Sequence, residues 1–441
     1  MSHVQEVSPQ SPIAVVVGHD REKVEAAIRE HKPFAALKIS FVHQQEQKGT
    51  GHAARVVMDS PWGAQMTKSK SDVLVLPGDL PLITSDLVRQ MLEPLGRDAL
   101  RLLTCQLSDP TGYGRVVRRG KKGSVLRIVE EKDASLREKE IQEVAVSIYT
   151  FQSAFLRYGL TKISNKNAQG EYYLTDLIAQ ASRAKKKVDV LGWSTPEDLR
   201  GVNDPWELAQ ASRTLNERCL RDWALKGVKF THPWTTWIDL SVELEEDVII
   251  CPGAILTGTT KIARGAQIGP RCVLKNVTVG KDAHLKTGTV AEDSIIGESA
   301  NVGPYAHLRP GTVIGAKAKI GNFVEIKKSK IGERTSIAHL SYVGDAEVGK
   351  DVNIGCGFVT CNFDGRVIAG ERKHRTVIED GVFLGSDCQA VAPVRIGRGA
   401  FIASGSTITE DVEADALAIA RARQVNKPGY AKKLRADQEG G

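Results

Sequence analysis

The chain has no apolar run approaching the roughly 20 residues that span a bilayer, so membrane insertion is not expected. Its opening residues, MSHVQEVSPQSP, lack the apolar core of a secretory signal, and nothing marks export. The stretch Ile13–Gly18 (IAVVVG) is too short for either role and reads as a buried strand. No CxxC pair occurs among the seven cysteines, Cys105, Cys219, Cys251, Cys272, Cys356, Cys361 and Cys388. That absence argues against a disulfide framework or a zinc site, and for free thiols in a reducing cytoplasm. A strong charge of one sign is missing too: 60 basic and 53 acidic residues leave +7 over 441 residues. So small a surplus gives no reason to expect a nucleic-acid partner. The basic runs at 118–122 (RRGKK) and 183–187 (RAKKK) read as solvated faces, which would also suit anionic phosphates.

What is present falls into two textures. Up to about Trp206, short apolar runs alternate with amphipathic segments. Ile13–Val17, Val73–Leu76, Leu102–Cys105 and Val144–Phe151 read as strands, and Arg21–His31, Thr50–Asp59, Thr84–Leu95 and Glu171–Lys185 as helices. Alternation of this kind predicts an α/β layer with a largely parallel sheet. A helical pattern over 205–226 reads as a connecting arm. Beyond about Asp247, pairs of an aliphatic residue and glycine recur, beginning at Ile268, Val279, Ile296, Val302, Ile314, Ile320, Ile331, Val348, Ile354, Leu384 and Ile396. Their spacings are 11, 17, 6, 12, 6, 11, 17, 6, 30 and 12, each a multiple of six or one short of it. A six-residue period is the signature of a parallel β-helix, whose coils each cover the hydrophobic face of the next. The period leaves the hand of the coil undetermined.

Nine ordered stretches resemble one family, the bifunctional N-acetylglucosamine-1-phosphate uridylyltransferase and glucosamine-1-phosphate N-acetyltransferase. They are QKGTGHA (47–53), GDLPLI (78–83), DPTGYGR (109–115), NAQGEYYLTD (167–176), LRPG (308–311), GNFVEIKK (321–328), AHLSYVGDAE (338–347), NIGCGFVTCNFDG (353–365) and GSD (385–387). The resemblance implies a Rossmann-like α/β nucleotidyltransferase domain over 1–204, a helical arm over 205–228 and a left-handed β-helix over 229–441. It also implies a cytoplasmic homotrimer with sites between β-helices, making a sugar nucleotide for peptidoglycan and lipopolysaccharide.

By the same resemblance His339 is the general base that deprotonates the amine, a task suited to an imidazole. Arg309 and Lys327 match contacts to the sugar phosphate, and Tyr342 and Asn353 contacts to the sugar. Glu325, two residues from Lys327 and so on the same strand face, reads as an orienting group. Acetyl-CoA is implied at Asn362, Phe363, Ser386, Ser404 and Arg421, with Phe363 where tyrosine is common and Ser404 where alanine is common. The loop 366–375 (RVIAGERKHR) is about five residues longer than usual. In the other half, Gln44, Gly49 and Thr50 match positions that read the uracil of UTP. Asp79 and Asn203 match Mg²⁺ ligands, with Asn203 also on the UDP-sugar beside Gly114 and Glu130. That half departs from the pattern: the Gly-rich triphosphate loop and its lysine have no counterpart. Ile13–Gly18 matches the family's second strand, and Ala145 stands where a sugar-binding asparagine is usual. Impaired uridylyl transfer is the expectation. Alternatives are an acetyltransferase with a vestigial nucleotidyltransferase domain, a different sugar-phosphate nucleotidylyltransferase, or a non-catalytic β-helix scaffold. A carbonic anhydrase on this helix would need a zinc-binding histidine triplet, and none has the motif context.

Overall fold

The computed structural model describes residues 2–30, 34, 37–120, 123–365, 367 and 372–439. The chain forms two compact units, one up to Ser212 and one from Arg213, divided within a helix at Pro205–Leu225. Among the described residues no helix is long and apolar enough to cross a membrane.

The first unit opens with α1 (Ser2–Val7), β1 (Ile13–Val17), α2 (Arg21–Glu30) and β2 (Ile39–His43). β1 and β2 pair in parallel as a sheet of their own. The chain continues through α3 (Thr50–Asp59), α4 (Pro61–Ser69), β3 (Asp72–Val75) and α5 (Ser85–Met91). Val4 and Val7 of α1 pack against the cluster built on Leu87, Val88 and Met91 of α5. A six-stranded sheet then gathers β3, β4 (Leu100–Gln106), β5 (Gly114–Arg118), β6 (Val125–Val129), β7 (Glu143–Gln152) and β8 (Val188–Trp193). Its centre, β7, is almost wholly buried, which suits a strand covered on both sides.

The expectation of a largely parallel sheet is corrected here. β4 pairs in parallel with β8, but β3, β4 and β5 all run antiparallel to β7, and β5 and β6 form a hairpin. β5 and β6 were missed because Arg115, Arg118 and Arg127 interrupt their apolar runs. Arg115 is nonetheless 1% exposed, its charge met by Glu131 at 2.7 Å. The helix expected over 171–185 is confined to Asp176–Arg183, and that over 84–95 to α5.

The second unit is the β-helix. Three parallel sheets of 10, 9 and 11 short strands form its faces. Most pairing partners lie 17 or 18 residues apart, as in Ile255 with Val273 and Val273 with Val290, and 30 apart in one coil, as in Asn353 with Phe383. Three hexapeptides make one coil, and a coil of 17 has a corner shortened by one residue. That accounts for spacings one short of a multiple of six. Inward aliphatic residues such as Ile320, Ile326 and Ile331 are buried, each worth about 1.5–3 kcal/mol of transfer. This agrees with the left-handed β-helix of hexapeptide repeats.

Candidate functional sites

On the β-helix, Arg309 and Lys327 belong to one face, at equivalent positions of successive coils, because Leu308 pairs with Ile326 beside them. Two cations stacked one coil apart, about 4.8 Å, repel each other unless an anion lies between or beside them. Glu325 supplies one: Arg309 Nη1 donates to its Oε1 at 2.8 Å. Tyr342 follows Glu325 in the same column. Asn362 is buried, and its amide donates to Asp345 at 2.6 Å and more weakly to the Tyr342 hydroxyl at 3.5 Å. Its side chain thus holds this wall together.

His339 ends the strand Ser336–His339, at the corner just before Tyr342. Its register partner in the preceding coil is Asn322, whose Oδ1 lies 2.8 Å from His339 Nδ1. With the amide oxygen accepting, Nδ1 carries the proton and Nε2 keeps its lone pair (the tautomer a base needs). Asn322 was not singled out from sequence, although the 17-residue spacing links it to His339. Asn353 lies on the neighbouring face, paired with Ser336 and Phe383. One chain therefore divides these residues between two faces meeting at the 339–341 corner.

Further along that corner Ser386 and Ser404 are exposed. Gly405 N donates to Ser386 O at 2.9 Å, and Arg421 Nη1 to Ser404 O at 2.8 Å. Phe363 is 58% exposed, with Lys373 Nζ 4.1 Å above its ring. Half of the lengthened 366–375 loop, residues 366 and 368–371, lies outside the described residues.

In the first unit, QKGTGHA and NAQGEYYLTD dock on each other. Tyr172 N donates to Lys48 O at 2.8 Å, Gly51 N to Tyr172 O at 2.7 Å, and Leu174 N to Thr50 Oγ1 at 3.1 Å. Gly49 has φ 96°, and a Cβ there would lie 2.7 Å from Tyr172 O, so only glycine fits. Gln44 is buried, with its amide nitrogen 3.0 Å from Nδ1 of His52, a positioning partner that sequence reasoning overlooked. Gly114 lies against Glu130, whose Oε1 accepts from Thr175 Oγ1 at 2.8 Å. Burial, then the nearby Asp133 and Asp176 carboxylates, push the Glu130 carboxyl up, against the pull of the Thr175 hydroxyl. Ala145 pairs directly with Gly114, so a methyl faces the place where an amide was expected. Asp79 Oδ2 and Asn203 Nδ2 both come within 4 Å of one point above Gly201, and Glu207 accepts from Asn203 N at 2.6 Å.

The β-helix matches the bacterial transferase hexapeptide (six repeats) family over residues 293–328 and 375–410. The "Bifunctional protein GlmU" of Trichlorobacter lovleyi is 43% identical over 426 residues, covering 96% of this chain and 89% of that protein. The chain belongs to the bifunctional GlmU family. The GlmU proteins of Shouchella clausii and Streptomyces avermitilis are similar as well. They are each 40% identical, over 95% and 99% of this chain and 89% and 88% of theirs. The resemblance carried by the nine motifs therefore stands, and with it a GlmU-type transferase. Both units fall within the matched span, so the alternatives of an unrelated nucleotidylyltransferase or a bare scaffold fall away.

Proposed function

We propose that the chain transfers acetyl from acetyl-CoA to glucosamine-1-phosphate on its β-helix, and that uridylyl transfer from UTP to the product in its first unit is impaired, because the Gly-rich triphosphate loop and its lysine have no counterpart. The domains would be 1–204 and 229–441, joined by an arm at 205–228. The observation that carries the reading is the corner column in which Asn322 orients His339 beside the Arg309–Lys327 wall. The amine nitrogen attacks the thioester carbonyl while His339 Nε2 takes its proton. The tetrahedral intermediate then collapses to the amide and expels the coenzyme thiolate. Arg309 and Lys327 hold the phosphate dianion, Tyr342 and Asn353 the sugar, and donors near Ser386 the developing oxyanion. The donor would lie along Asn362, Phe363, Ser386, Ser404 and Arg421. Incubating the purified chain with both substrates and following N-acetyl product by mass tests this reading, and no product would end it.

Arg309→Ala should raise the KM for glucosamine-1-phosphate about 10- to 100-fold, from the loss of a charged hydrogen bond worth about 1.5–3 kcal/mol. The KM for acetyl-CoA should change little, because Arg309 meets no cofactor group. Equal effects on both would make Arg309 a structural partner of Glu325.

The same reading makes the protein a homotrimer whose sites are completed between copies. Its support is the division of the sugar residues between two faces. A second support is the exposed ridge of Tyr305, Phe323 and Leu340 (48%, 57% and 60%), whose two rings stack at 5.8 Å. A cytoplasmic setting accords with seven free cysteines.

For uridylyl transfer, Gln44, Gly49 and Thr50 would receive the uracil, and Gly114, Glu130 and Asn203 the UDP-sugar. Mg²⁺ suits the Asp79 carboxylate and Asn203 amide oxygen, since it keeps several waters and takes its remaining ligands from substrate phosphate. Bound there it would neutralise phosphate charge. Ala145 weakens this half by offering no donor to the sugar. Ala145→Asn should lower the N-acetylglucosamine-1-phosphate requirement about two- to tenfold, the worth of one hydrogen bond. An unchanged requirement in a pyrophosphate-release assay would remove position 145 from the sugar site.

A further inference from the structure

We infer that Cys356 is an acyl-accepting thiol within the acetyl-transfer site, taking the acyl group of the thioester donor when no amine is bound. The inference rests on the acetyltransferase reading and goes beyond it by adding a nucleophile of the protein's own.

Placement comes from coil register. Asn322 pairs with His339, and Ser336 and Ile337 pair with Asn353 and Ile354, each 17 residues on. Gly357 N donates to Leu340 O at 3.1 Å, so the register holds through the corner. Cys356 therefore follows His339 in the column that begins at Asn322, with backbones about 4.8 Å apart and side chains projecting the same way. On its other side comes the coil of Ser386, since Asp387 N donates to Cys356 O at 2.7 Å. The thiol thus lies between the base and the expected path of the donor, and it is exposed.

Nucleophile, base and orienting amide stand in sequence, the arrangement by which a thiol is activated. Asn322 fixes Nδ1 of His339 at 2.8 Å, and among the described residues Nε2 has no partner. The other cysteines lack this setting. Cys105, Cys219, Cys272 and Cys388 are buried, and burial pushes the thiols of Cys105 and Cys272 up to about 11. Cys251 and Cys361 are half-buried and outside the column.

The step balances without an oxidant. His339 takes the thiol proton, and the Cys356 sulfur bonds to the acyl carbon. The carbon–sulfur bond to the coenzyme breaks, and the departing thiolate takes the proton back. One thioester replaces another, so the step is freely reversible. An arriving amine draws the acyl group off as the more stable amide.

The full chain incubated with acetyl-CoA and no amino sugar should gain one acetyl group, which peptide mapping places on Cys356. Added free coenzyme A or neutral hydroxylamine should remove it. Cys356→Ala should abolish the gain, and His339→Ala should slow it at least tenfold. A Cys356 left free while the same preparation acetylates glucosamine-1-phosphate would overturn the inference and leave the acetyltransferase reading intact. Labelling as fast in His339→Ala as in the parent would reduce Cys356 to an ordinary exposed thiol. Acetylation of neither sugar nor thiol would overturn both readings together.

Discussion

Replacing His339 by alanine should slow acetyl transfer by about 10²–10⁴-fold, the usual contribution of a positioned general base. That range corresponds to about 3–5 kcal/mol of transition-state stabilisation. Two features of the structure make the loss chemical. His339 is exposed at a corner, so removing its ring leaves no cavity in the core, where Ile337 and Val343 on either side stay buried. Its main polar partner, Asn322, is half-exposed and can turn to water when the imidazole is gone. The variant should therefore unfold at the same temperature as the parent. The deficit should also narrow as pH rises, because an amine that deprotonates in solution no longer needs the imidazole. A rate within a few-fold of the parent at neutral pH, measured by release of free coenzyme A, would show that another group takes the proton.

Much of this architecture was legible because the β-helix repeats its own local rule. The aliphatic–glycine pairs kept phase, and the shortened spacings already held the 17-residue coil that the structure displays. Reading down columns at that interval links Asn322, His339 and Cys356. Reading along the string finds only His339, inside its motif. The first unit was less open to inspection. Whether β7 pairs parallel or antiparallel with β4 depends on residues some 45 positions apart, and no local pattern encodes it. The arginines of β5 and β6 mimic loop composition until the fold supplies partners, Glu131 and Glu143 for Arg115 and Arg118 and Glu138 for Arg127. His52 was quoted within its motif without a role, because its contact with Gln44 exists only once α3 turns back on β2. Glu207 escaped for a similar reason: it opens a helix that reads as an arm, yet meets Asn203 at its first turn.

Gly321→Ala should damage the acetyltransferase as severely as loss of the base, by an entirely different route. Gly321 is buried in the strand Lys319–Asn322, between the inward Ile320 and the Asn322 that orients His339. A methyl built on it would lie 1.7 Å from Ala338 O and 2.5 Å from Ala338 C. Both are backbone atoms of the next coil, so no side-chain rotation relieves the clash, and the coils must part by more than an ångström. The ladder from Asn322 to His339 adjoins that contact and would open first. The cost should be about 3 kcal/mol or more, at the upper end for overpacking because backbone must move. In a stack where each coil contacts only its neighbours, the damage concentrates at one interface. Distant coils should stay folded while amide exchange rises around 319–322 and 336–339 and acetyl transfer falls at least a hundredfold. Gly192→Ala is the matched control, since a Cβ there meets nothing within 4 Å. A Gly321→Ala protein with parental exchange and activity would mean that the coils do not approach this closely, and would undo the placement of Asn322, His339 and Cys356 in one column.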